Sequence, residues 1–97
     1  MSEKRFGKYR GVVINNNDPM RMGRIQVQVP TLPDVIPTIW AMPCAPVNLP
    51  RKMGSALPKI GAGVWVEFEA GDLNYPIWSG CWFGNPSETP PSLRNTQ

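Results

Sequence analysis

The sequence contains no histidine, and its two cysteines, Cys44 and Cys81, form no CxxC pair. Without an imidazole, most of the nucleophile–base pairs used by hydrolases and transferases cannot be assembled. The same lack leaves the cysteines short of partners for a metal site, so no cofactor is expected. A reducing compartment disfavours pairing them, and they read as two buried free thiols. Long apolar runs are missing too: none approaches the roughly 18 residues of a membrane-spanning helix, and no apolar segment follows Met1-Ser2-Glu3-Lys4-Arg5 to serve as a secretory signal. The expectation is a chain made in a cytoplasm, with no stable membrane association. Stretches free of helix breakers are equally scarce. The 97 residues hold 12 prolines and 9 glycines, and the proline-free run from Lys59 to Tyr75 is itself broken by Gly61, Gly63 and Gly71, which argues against helices.

What remains is the pattern of a small all-β domain. A chain of this length can bury one core and not two. In Tyr9–Asn15 a β-branched run, Val12-Val13-Ile14, leads into the turn signal Asn15-Asn16-Asn17-Asp18-Pro19. From Gly23 to Val29, Ile25, Val27 and Val29 alternate with Arg24, Gln26 and Gln28, the period of a strand with one wet face. Thr38–Ala41 reads as a short third strand that continues past Pro43 toward Cys44 and Ala45. Gly63–Glu69 alternates again, with Val64, Val66 and Phe68 opposite Trp65, Glu67 and Glu69. In the fifth strand, Pro76–Phe83, Trp78, Gly80 and Trp82 share one face. Pro46 to Gly63 shows little periodicity and reads as a long loop between strands 3 and 4, of the kind that is functional or ordered by a partner. Five short strands joined this way predict a small five-stranded Greek-key barrel of the oligonucleotide/oligosaccharide-binding (OB) type, with an SH3-like barrel as the alternative. The expected boundaries are a basic arm over residues 1–8, the barrel over 9–84 and a flexible polar tail over 85–97.

Candidate chemistry is sparse. Glu67 and Glu69 stand two apart on a strand, the spacing a glycosidase pair would need on one face, but a solvated polar face accounts for them better. The serines lie in no nucleophile-elbow context, and Gly61-Ala62-Gly63 precedes a strand instead of the helix of a phosphate-cradling loop. The chain is therefore expected not to be an enzyme. Its +3 charge, partly from Lys4, Arg5, Lys8 and Arg10, and its four tryptophans keep open a barrel that binds single-stranded nucleic acid or oligosaccharide. Against nucleic acid, Trp65 shares its face with two glutamates, and the basic residues stand mostly apart from the aromatics.

The order of motifs carries a family signal. Asp18-Pro19, Gly23-Arg24-Ile25-Gln26-Val27-Gln28-Val29-Pro30, Trp40-Ala41, the run Pro58 to Asp72, and Pro76-Ile77-Trp78-Ser79-Gly80 together resemble the N-terminal OB domain of phage baseplate spike proteins and of type VI secretion VgrG proteins. The resemblance covers about Tyr9 to Gly84. It implies a structural, non-enzymatic component of a contractile injection system that connects the hub ring to the membrane-piercing spike. The implied partners are a baseplate hub protein and a spike or needle-tip protein, the implied state in the assembly is a homotrimer, and the implied location is the virion tail baseplate or injection-particle tip. Asp18, Pro19, Gly23, Gly61, Gly71 and Asp72 then read as turn-shaping residues. Trp40, Trp65, Trp78 and Trp82, with Arg51 and Lys52 of the long loop, read as the interface. Relatives commonly continue into a β-helical needle, and some phage members also carry a lysozyme domain. This sequence stops soon after Gly84, so their lytic activity is not expected here.

Overall fold

A computed structural model describes residues 3–47, 57–90 and 93. Five strands follow in chain order: β1 (Tyr9–Asn15), β2 (Gln26–Gln28), β3 (Met42–Pro43), β4 (Gly63–Phe68) and β5 (Pro76–Trp82), with 3₁₀ turns at Glu69–Gly71 and Pro86–Glu88. They form one curled sheet in the order β2-β1-β4-β5-β3. All neighbours are antiparallel except β3 and β5, which run parallel. The two ends of the sheet meet at one point. Ile25, just before β2, and Ala41, just before β3, exchange backbone hydrogen bonds with N···O distances of 3.1 and 2.7 Å. This bridge turns the open sheet into a partly open Greek-key barrel, the expected OB architecture, and shields edge groups that would otherwise template pairing with another chain. No helix among the described residues is long and apolar enough to cross a membrane.

The core follows from the alternation in β4 and around β2. Val64, Val66 and Phe68 point inward, as do Ile25, Val27 and Val29, and Val13, Val35 and Ala41 complete the cluster. Most of these residues are β-branched and fit a pleated, half-buried surface without rotamer cost. Tyr9 caps one end, its ring tilted against Phe68 at 5.8 Å. Ile25 is fully buried and also makes the closing bridge. Ile25→Ala is expected to cost about 3 kcal/mol in urea unfolding, and a loss below about 1 kcal/mol would mean the seam contributes little packing.

Several strands differ from their sequence outlines for identifiable reasons. β2 is shorter than Gly23–Val29 because the Arg24 N–H bonds to the Asp18 carboxylate instead of a ladder, while the Val29 carbonyl accepts from Leu32 in a turn. The third strand starts later than Thr38: Ile39 closes a turn onto Ile36, and pairing begins only at Ala41. Glu69 lies outside the fourth strand, in a turn where Ala70 takes a left-handed φ of 51°. It therefore does not share a strand face with Glu67.

The largest correction concerns β5. Val66 pairs with Trp78 but Val64 pairs with Cys81, so Ser79 and Gly80 together face Trp65 across a β-bulge. Gly80 has a φ of +136°, open to glycine and costly for other residues. A bulge inverts the alternation beyond it. Trp78 consequently packs on the core with Val66, while Trp82 pairs with Gly63 on the outer face, so the two do not share a face as the simple period had suggested. The cysteines are free as expected, but both are exposed, not buried. Cys44 follows the two-residue β3, and Cys81 sits just past the bulge.

Candidate interaction site

Two clusters of polar and aromatic side chains stand out from this scaffold. The first is the loop between β1 and β2. Asp18, 7% exposed, accepts hydrogen bonds from the backbone N–H groups of Met20, Met22 and Arg24 and from Arg24 Nε and Nη2, all between 2.8 and 3.2 Å. One carboxylate thereby organises a whole reversal. Bonding by the Arg24 guanidinium, helped by the backbone N–H groups, outweighs desolvation and holds the Asp18 carboxyl well below the usual carboxylate range. The loop tolerates positive φ at Arg21 (54°) and Gly23 (+74°), while Pro19 follows Asp18 at its start. Arg24 also lies over Trp40, 5.2 Å from the ring centroid, and Trp78 Nε1 donates to the Gly23 carbonyl at 3.0 Å. Beside Trp78 runs an apolar groove bounded by Met22, Pro43, Pro46 and Leu57.

The second cluster is on the outer face of β1, β4 and β5. Trp82 lies across Gly63, where any Cβ would overlap its ring atoms Cε2, Cδ2 and Cζ2. Its Nε1 donates to the carbonyls of Gly11 (3.2 Å) and Val64 (3.1 Å). Arg10, paired with Trp65 in the β1–β4 register, extends its guanidinium over both indoles, 4.8 Å from the Trp82 centroid and 5.5 Å from that of Trp65. Cation–π attraction holds such an arrangement.

These positions refine the sequence reading residue by residue. Gly61 and Gly71 sit in turns with φ of +91° and +78°, and Asp72 Oδ1 accepts from the Asn74 N–H. Phe6 packs where a side chain at Gly71 would go, and Arg5 N–H donates to the Gly71 carbonyl, so the basic arm is tied to the turn that follows β4. Arg51 and Lys52 lie outside the described residues, as does much of the Pro46 to Gly63 loop. The expectation that cations and aromatics stay apart is overturned, since Arg10 meets Trp65 and Trp82, and Arg24 meets Trp40. Both contacts join residues whose proximity depends on strand pairing or loop closure, which the linear sequence hides. The one local signal was Arg24 standing six residues after an Asp-Pro turn.

Glu67 lies on β4 opposite Ile77, and among the described residues no group of three or more Cys, Asp or Glu side chains is placed to hold a metal ion. A comparison with curated proteins finds no match. Residues 9–83 match the type VI secretion system/phage-baseplate injector OB domain, a stretch that takes in all five strands, the Asp18 loop and both aromatic clusters. The chain therefore belongs to this injector OB-domain family and has a structural, baseplate-type role.

Proposed function

We propose that the chain is a non-enzymatic connector at the tip of a contractile injection system, joining the hub ring to the membrane-piercing spike as a homotrimer within the assembly. The observation that carries this reading is the family match across the whole barrel. The mechanical logic supports it. When a sheath contracts, every joint at the tip must transmit force without opening. A barrel whose ladders run through β2-β1-β4-β5-β3 and close at Ile25–Ala41 fails only if many hydrogen bonds break together. The surface also suits protein neighbours: Met20, Ile60 and Tyr75 are each at least 60% exposed, apolar area that an assembly would cover. Trp40, Trp65 and Trp82 serve the contact surface, whereas Trp78 serves mainly the barrel interior.

The alternative of a barrel for single-stranded nucleic acid gains one point from Arg10 beside two indoles. It loses more, because the Trp82 ring lies against Gly63 and has the Arg10 guanidinium 4.8 Å from its centroid, two contacts that a stacking base would have to displace. Deleting the gene tests the connector role. Tail particles assembled without this chain are expected to keep the hub ring and lack the spike; particles with a complete spike would overturn the proposal.

A further inference from the structure

Arg10 is placed as a recognition group. Arg10 is an exposed residue whose guanidinium lies over two indoles, yet no acceptor among the described residues takes its side-chain N–H groups. The perch beneath it is rigid: Trp82 is fixed by two indole hydrogen bonds and by the notch at Gly63. An arginine stem ordinarily samples many rotamers, and holding it in place lowers the entropy lost when a ligand binds. The indoles attract the cation without supplying a hydrogen-bond acceptor, so the forked N–H donors of Arg10 are left for one. Carboxylates and phosphates both match this fork through two parallel charge-assisted hydrogen bonds, and in a protein neighbour the matching group is the carboxylate of aspartate or glutamate.

We infer that Arg10, supported by Trp65 and Trp82, is an anchor that binds an aspartate or glutamate side chain of a neighbouring, different tail protein. Buried arginine and tryptophan side chains with an apolar surround are the usual energetic centre of a protein interface. Nucleic acid fits less well. A phosphate backbone is held by a track of cations, whereas a single guanidinium, that of Arg10, lies over these two indoles. The inference deepens the connector role by naming the chemistry of the partner, and it takes from that role only the partner's location in the tail.

The experiment follows the Arg10 Nε–H resonance of the intact protein by NMR during titration with capped triglutamate, capped triglutamine and oligothymidylate. Triglutamate is expected to shift it saturably, with a Kd on the order of 1 mM, and triglutamine to leave it unchanged. Arg10→Lys keeps the charge and loses the fork, so triglutamate affinity, followed on backbone amides of β1 and β4, should fall roughly tenfold. Because Arg10 is exposed, that variant should fold, and its circular dichroism checks this. Trp82→Phe removes the indole N–H and should also weaken binding. No saturable shift with triglutamate, an equal response to triglutamine, or undiminished affinity in Arg10→Lys each overturns the inference. So does tighter binding of oligothymidylate, or an Arg10 shift produced by raising the protein concentration alone, which would assign the site to nucleic acid or to a second copy. These outcomes are independent of the gene deletion: a chain essential for the spike yet indifferent to triglutamate loses this inference and keeps the connector role.

Discussion

Asp18→Asn is expected to lower the Tm by roughly 10 °C or more, the size of effect reserved for loss of a buried bonding network. The carboxylate serves five donors, three on Oδ2 and two on Oδ1. Asparagine replaces one oxygen with an NH₂ group, so at least two donors then face another donor in a site closed to water. Arg24 loses its ion-pair partner, and the backbone at Arg21 loses the closure that stabilises its positive φ. Differential scanning calorimetry measures the change, and a drop of only a degree or two would mean the loop holds itself together without the carboxylate.

The same network sets an acid limit. Because the folded-state pKa of Asp18 lies below its unfolded value of about 4, its contribution is complete above that value. It is then lost progressively as pH falls toward the folded-state pKa. The Tm gap between wild type and Asp18→Asn should therefore be widest near neutral pH and shrink below about pH 4. A constant gap down to about pH 2 would contradict the assignment.

Gly63→Ala is the second large effect. The new methyl would occupy the space of the Trp82 ring, and the neighbouring β4 backbone cannot yield without disturbing Val64 and the core. The indole must lift, giving up its bonds to the Gly11 and Val64 carbonyls and the seat it offers Arg10. The expected cost is about 2–3 kcal/mol, with tryptophan emission moving to the red as the ring enters water. Coupling provides the control. In a Trp82→Ala background the same Gly63→Ala change should cost less than about 0.5 kcal/mol, since the obstructing ring is gone. Equal costs in both backgrounds would show that Gly63 is required for a backbone reason unrelated to Trp82.

Much of the fold was legible because its residues obey local rules. The alternation of Val64, Val66 and Phe68 against Trp65 and Glu67 identified β4 to within a residue, and β1 matched its β-branched run. The losses came where a single side chain or a bulge overrides the period. Asp18 captures the Arg24 N–H that the Gly23–Val29 pattern assigned to a ladder, and the extra residue at Ser79-Gly80 sends Trp78 and Trp82 to opposite faces. The candidate site was less readable than the fold. Its tryptophans were visible as residues, but placing Arg10 over Trp65 and Trp82 requires knowing that β1 lies beside β4, a pairing across some fifty intervening residues that periodicity does not encode. The ordered motifs, in contrast, were enough to reach the family.

A cryo-EM reconstruction of an assembled tail tip tests the central claim most directly. The account predicts three copies of the barrel seated where hub meets spike, with the Arg10, Trp65 and Trp82 face covered by another protein. A tip with no density for the chain, or with that face open to solvent while the barrel sits elsewhere in the particle, would contradict it.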